Sequence, residues 1–178
     1  MTFRAVVVPI AVWMGACATL NVSADYDPAT DFSVYHTWAW GPADELPTGD
    51  PRLDHNPFFN QRVQEAVAAN LAARGLRRVL PEEADLLVHY HASIERRVDV
   101  VSVDRERGYE MSAVPQLREW EQGTLMVDIA EAPSNRIVWR GWAQADIAGV
   151  IDHPDAMRQR IREACAKMFK RFPPPGTG

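Results

Sequence analysis

The sequence is poor in cysteine, in positive charge and in long apolar runs, and each shortage excludes a class of protein. Two cysteines in 178 residues are too few for a disulfide-stabilised mini-protein. The 19 Lys and Arg residues are outnumbered by 24 Asp and Glu residues, for a formal net charge of −5. Nucleic-acid phosphates require a basic surface, so we predict no nucleic-acid partner. No apolar run approaches the roughly 20 residues of a membrane-spanning helix.

Motifs of catalysis are also missing. The chain has no G-x-S-x-G nucleophile motif, no glycine-rich phosphate loop and no H-E-x-x-H zinc motif. Cys165 falls on the apolar face of a predicted helix, where a cysteine behaves as a small buried hydrophobe. We therefore predict no catalytic residues, no enzymatic activity and no bound cofactor.

The first 16 residues have the pattern of an export signal. Arg4 is followed by an apolar run over residues 5–14 and by two small residues, which predicts a secretory signal peptide over residues 1–16. The segment Met14-Gly15-Ala16-Cys17 resembles the bacterial lipobox. This resemblance implies cleavage between Ala16 and Cys17, then acylation of the Cys17 thiol with diacylglycerol and of the new amine with a further acyl chain. The alternative is an ordinary signal peptide beside an incidental cysteine.

A lipid on Cys17 would make the membrane a partner, because two or more acyl chains hold a protein stably on a bilayer. Ala18 follows the cysteine, where an Asp would resemble the signal for retention in the inner membrane. The resemblance therefore implies a protein held on the periplasmic leaflet of the outer membrane of a Gram-negative bacterium.

Alternating and helical patterns of apolar residues predict one α+β domain over residues 17–172 and a disordered tail over residues 173–178. The order of elements is β-β-α-β-β-β-β-α. This order favours a two-layer sandwich, in which a mostly antiparallel sheet carries both helices on one face. Strands are predicted at residues 20–26, 32–40, 76–80, 85–94, 124–131 and 136–147. The helices are predicted between Asn56 and Gly75 and from His153 to Phe172.

Two histidines form the best candidate metal site. His89 and His91 are two residues apart on a predicted strand, so both imidazoles project from the same face. Zinc or copper would need a third ligand, such as Glu95, and His36 would strengthen the site if it lay alongside. The alternative is a pair of polar side chains on the face of the sheet away from the helices.

The region 96–121 is the best candidate for binding a partner. It mixes charges of both signs with Tyr109, Leu117 and Trp120, as an exposed hairpin tip would. The alternative is a solvated, mobile hairpin without a partner. The six tryptophans of the chain allow a recognition surface too, although packing in and around the core explains them more simply.

Four blocks of sequence resemble one family in the same order. They are residues 22–40, the helix end Ala72-Ala73-Arg74-Gly75-Leu76, the strand over residues 84–90, and the pair of strands over residues 123–129 and 137–143. Together they resemble the domain of unknown function 4136 family of bacterial lipoproteins, which has no established activity and so implies no catalytic residues. The sequence thus favours a non-enzymatic envelope module that binds another envelope protein or a glycan. The alternative is an enzyme or metal-binding protein with a site around His89 and His91.

Overall fold

The computed structural model describes residues 19–42, 50–54, 56–101 and 116–174, with the backbone alone at residues 98–101 and 116–118. Six strands form one mixed sheet in the order β1-β6-β5-β4-β2-β3. The elements are β1 (Asn21–Tyr26), β2 (Thr37–Trp40), α1 (Pro57–Ala72), β3 (Arg77–Arg78), β4 (Leu86–Val101), β5 (Gln116–Glu131), β6 (Arg136–Asp146) and α2 (Pro154–Phe169). Neither helix is long and apolar enough, within these described residues, to cross a membrane.

The sheet is antiparallel over β1, β6, β5 and β4, and parallel where β2 lies between β4 and β3. The predicted α+β sandwich with a mostly antiparallel sheet is therefore confirmed, and its two parallel strand pairs both involve β2. Helix α1 begins as predicted: the side chain of Asn56 accepts a hydrogen bond from the backbone N–H of Phe59, and Pro57 occupies the first turn. Gly75 follows the helix with a φ of +84°, a conformation that glycine adopts without strain.

Both described helices cover one face of the sheet. Strand residues that alternate along β4, β5 and β6 point toward the helices, including the fully buried Leu86, Val127 and Trp139. Helix α2 contributes Met157, Ile161, Ala164, Cys165, Met168 and Phe169 to the same core. The opposite face of these strands carries partly exposed, mostly polar side chains.

Arg74 joins the ends of the two helices. Its guanidinium donates to the backbone carbonyl of Asn70 (2.7 Å) near the end of α1, and to the carbonyls of Phe169 and Phe172 (2.5 Å for Phe172) at the end of α2. It also lies over the ring of Phe169. One cation thus satisfies carbonyls that the ends of two helices leave without partners.

Several predicted strand bounds are wrong. Residues 32–34 form a short 3₁₀ turn, so β2 is limited to Thr37–Trp40, because the Asp31 side chain caps the turn at Ser33. The strand predicted over residues 76–80 is reduced to β3. The β4–β5 pair extends from Leu86 to Val101 and back from Gln116, so β5 begins eight residues before the predicted start at Thr124. This extension, in which residues 95–101 of β4 pair with residues 116–122 of β5, is a two-stranded arm. Its sequence is rich in charge and lacks the apolar alternation that reveals a half-buried strand.

Asp85 ties β2 to the start of β4. Its carboxylate accepts hydrogen bonds from the backbone N–H groups of His36 (2.9 Å) and Thr37 (2.8 Å) and from the Thr37 hydroxyl (2.8 Å). The bond from His36 contributes most to lowering the pKa of the Asp85 carboxyl below its ordinary value of 3.8. A lowered pKa in the folded state means that the ionised carboxylate stabilises the fold, and that acid removes this stability.

We expect Asp85→Asn to lower the free energy of unfolding by about 1–2 kcal/mol at pH 7. The stabilisation by the wild-type Asp85 carboxylate is complete above the ordinary pKa of 3.8. It is lost as the pH falls through the lowered pKa that the carboxyl has in the folded state. The difference between wild type and variant should therefore shrink below about pH 4. Urea unfolding at pH 7 and pH 3 measures it, with the exposed Glu82→Gln as control. A deficit of the variant that is the same at both pH values would contradict this role.

Candidate functional site

The face of the sheet away from the helices forms the candidate site, and we call it the open face. Neighbouring strands place its side chains in three rows that run from β1 through β6 and β5 to β4. The rows are Asp25–Arg140–Asp128–His89, Ser23–Trp142–Met126–His91 and Asn21–Gln144–Thr124–Ser93. No helix in the described part of the chain lies over these rows.

An ion pair between a buried carboxylate and a partly exposed guanidinium lies at the centre of the open face. Arg140 donates from Nε to one oxygen of Asp128 (2.6 Å) and from a terminal nitrogen to the other (2.7 Å). Asp128 is only 4% exposed, whereas the Arg140 side chain is 42% exposed. The hydrogen bonds to Asp128 raise the pKa of the Arg140 guanidinium. The bidentate geometry fixes the orientation of the guanidinium at the surface, so its remaining N–H groups are preorganised to donate hydrogen bonds. The ion pair as a whole has no net charge.

Trp142 is the large aromatic side chain of the open face, in the row next to this pair. It lies on β6 two residues after Arg140, with Met126 on one side and Ser23 on the other. Its indole is partly exposed, in contrast to that of Trp139, which faces the helices and is fully buried. Strand alternation thus puts the two tryptophans on opposite faces of β6, and the pairing of β5 with β6 brings Asp128 and Arg140 together on the open face.

His89 and His91 share one face of β4, as predicted, and this is the open face, where the alternative to a metal site placed them. The ring of His89 lies against the backbone of Gly41, where a Cβ atom would fall 2.1 Å from its Cε1 atom. Opposite His89 is Asp128, which is engaged by Arg140, and opposite His91 is Met126. The carboxylate in register with the histidine pair is therefore that of Asp128, and it already binds Arg140.

The other suggested ligands lie elsewhere. Glu95 pairs with Arg97 (2.8 Å), and His36 lies beside Asp85, before β2 begins. In the ranges that the structure describes, no three His, Cys, Asp or Glu side chains are grouped so that they could hold a metal ion.

The remaining predicted site residues lie either on β5 or outside the described residues. Trp120 lies on β5 opposite Arg97, on the arm and on the same side as the open face. The backbone of Leu117 is part of β5, so these two candidates belong to a strand and not to a hairpin tip. Tyr109, the cleavage site at Ala16 and Cys17 and the rest of the predicted signal peptide lie outside the described residues.

The open face presents hydrogen-bonding groups around a partly exposed indole. The Arg140 guanidinium and the amides of Gln144 and Asn21 can donate, while Asp25 and the Thr124 hydroxyl can accept. The exposed indole of Trp142 offers a flat apolar surface between these polar groups. Sequence reasoning did not single out Arg140 and Trp142 as site residues, although the alternation along β6 was the signal that places them together.

The sequence and the fold of this chain are both similar to those of known proteins. A sequence profile described as a domain of unknown function, DUF4136, matches residues 22–174. The chain belongs to the DUF4136 family. The structure of a DUF4136 protein from Bacteroides thetaiotaomicron is similar to it, with a TM-score of 0.51, 13% sequence identity and coverage of 86% of this chain and 96% of that one. No curated protein sequence matches the chain.

A further similar structure belongs to a larger protein. It is a PDZ domain protein from Parabacteroides distasonis, with a TM-score of 0.56, 14% identity and coverage of 88% of this DUF4136 chain. The present chain spans only 36% of that protein. At such identities both similarities show the fold alone. DUF4136 membership confirms the family resemblance that the four sequence blocks predicted.

Proposed function

We propose that this DUF4136 protein is a non-enzymatic binding module of the cell envelope, held on the periplasmic leaflet of the outer membrane by a lipid on Cys17. The open face is its binding surface, and an envelope glycan is its ligand. The observation that carries this proposal is the partly exposed Trp142 indole beside an Arg140 guanidinium that the buried Asp128 holds in place.

The chemistry of a sugar fits this surface. A sugar ring presents C–H groups on its faces and hydroxyls around its edge, so one face can stack on an indole while the hydroxyls exchange hydrogen bonds with polar neighbours. Asp128 neutralises Arg140, which leaves no strong positive charge at the centre of the face to select an anion. A neutral, hydroxyl-rich ligand therefore suits the pair better than a phosphate or a nucleic acid.

The Trp142→Ala variant tests this proposal. The soluble domain without residues 1–17 should sediment with insoluble cell-wall glycan. The variant should bind this glycan roughly tenfold more weakly, since a loss of about 1.4 kcal/mol in binding free energy is a factor of ten in affinity. Phe58→Ala is the matched control, because Phe58 is a 66% exposed aromatic residue on α1. Equal loss in both variants, or binding that Trp142→Ala leaves unchanged, would contradict the proposal.

The competing possibility is that the ligand is a protein, and a second experiment tests it with the same Trp142→Ala variant. Affinity capture from an envelope extract, with and without residues 104–122, identifies a protein that binds the arm. Capture that requires residues 104–122 and is unchanged by Trp142→Ala would move the binding site from the open face to the arm.

A metal-dependent activity at the histidine pair makes a separate prediction. The soluble domain should then contain stoichiometric metal that a His89→Ala, His91→Ala double variant loses. We expect metal analysis to give the same low content for both proteins. Stoichiometric metal in the wild type alone would contradict the non-enzymatic proposal.

A further inference from the structure

A second candidate site lies on the other side of the sheet, between α2 and residues 92–94 of β4, 123–125 of β5 and 143–145 of β6. It is a cavity of about 60 Å³, and its walls are almost wholly apolar. Met157 and Ile161 of α2 form one wall, and Arg160 supplies the charged group at its edge. Ser93 and Thr124, which the rows of the open face include, are also among its lining residues.

The cavity exists because small residues replace large ones at this end of the core. Ala143 and Ala145 of β6, Gly123 of β5 and Ala92 of β4 line it together with Ala164 of α2. Two and four residues beyond Leu125 along β5, Val127 and Ile129 fill the space beneath the helices and are fully buried. Protein cores are usually closely packed, and an apolar gap in a core is a place where an apolar group can bind.

The cavity is next to the point where the predicted anchor joins the domain. Leu20, immediately before β1, is one of the lining residues. Cys17 precedes Leu20 by three residues, so the two Cα atoms are at most roughly 11 Å apart in an extended chain. A lipid on Cys17 would therefore emerge beside the mouth of the cavity.

We infer that one acyl chain of the lipid on Cys17 inserts into this cavity; the inference rests on the lipidation in the proposed function. A cavity of this size binds a hydrocarbon segment weakly, because it buries little apolar area. A chain tethered three residues away reaches a high effective concentration that a free lipid does not. Two chains are enough for stable anchoring, so a third is available to the protein.

The chemistry of the walls agrees with this occupant, because a hydrocarbon segment matches their Leu, Ile and Met side chains. Occupancy would also hold the cavity end of the domain against the bilayer. The anchor then fixes the orientation of the domain, and with it the direction in which the open face points.

Crosslinking from the acyl chain tests the inference. Cells that produce the full-length protein are fed a fatty acid with a photoactivatable group in its chain, and crosslinked peptides are mapped by mass spectrometry. We expect crosslinks to the peptides that contain Leu125 and Ile161. Ala143→Leu and Ala145→Leu, which fill the cavity, should each abolish these crosslinks, whereas Ala69→Leu on the exposed side of α1 should retain them. Two filling variants guard against one that fails to fold.

The results of this experiment distinguish a failure of the inference from a failure of the proposed lipidation of Cys17. Label on Cys17 without crosslinks to the cavity would overturn the inference and leave the lipidation intact. Cavity crosslinks that persist in Cys17→Ser would show a free lipid as the occupant and would overturn it as well. Absence of label from Cys17 in the wild type would refute the lipidation itself, and the inference with it.

Discussion

Replacement of Trp139 by alanine is expected to lower the free energy of unfolding by about 3–5 kcal/mol, the usual cost of truncating a large buried aromatic residue. Trp139 is fully buried and contacts Phe169 and Phe172, each with ring centroids 5.3 Å from its own. Its indole N–H donates to the backbone carbonyl of Arg171 (3.2 Å). The side chain lies across Gly141, where a Cβ atom would be 2.4 Å from the indole. The variant thus loses packing between β6 and the end of α2.

Trp142→Ala is the matched control for this prediction, because it removes the same side chain three residues along the same strand. Trp142 lies on the open face and is partly exposed, so its loss should cost about 1 kcal/mol or less. Urea unfolding of the two variants measures the difference. Similar losses of stability would mean that the helices do not cover the face of the sheet that carries Trp139.

Cys17→Ser is expected to abolish lipidation and to leave an uncleaved or mislocalised precursor, since the serine hydroxyl does not replace the thiol that accepts diacylglycerol. Labelled palmitate supplied to cells should enter the wild type and not the variant, and only the wild type should fractionate with the outer membrane. Ala18→Asp is the companion variant, which should retain the label and shift toward the inner membrane. Equal palmitate incorporation into wild type and Cys17→Ser would refute the lipobox assignment.

Features of the fold that depend on local patterns could be predicted from the sequence. Asn56-Pro57 marks the start of α1, and the alternation through Leu86, Val88 and Tyr90 identifies both β4 and its buried face. Strand alternation also placed Trp139 and Trp142 on opposite faces. These signals are local, because each depends on neighbouring residues along one strand or one helix turn.

Other features depend on contacts between distant segments and could not be predicted. The arm over β4 and β5 has charged residues on both sides and so lacks the alternation that reveals a half-buried strand. The turn at residues 32–34 replaces a strand because one carboxylate, that of Asp31, binds the N–H of Ser33. The cavity is formed by small residues from four separate elements. No single stretch of sequence carries a signal for it.

The most direct test of the open face follows individual indole N–H signals by NMR while soluble cell-wall glycan fragments are added to the domain. We expect the Trp142 signal to shift with glycan concentration, while those of the buried Trp139 and Trp38 remain in place. The Trp142→Ala variant should show no saturable change. Unchanged Trp142 signals at a glycan concentration that binds the domain, or shifts confined to the indoles that face the helices, would contradict the assignment of the open face as the binding surface.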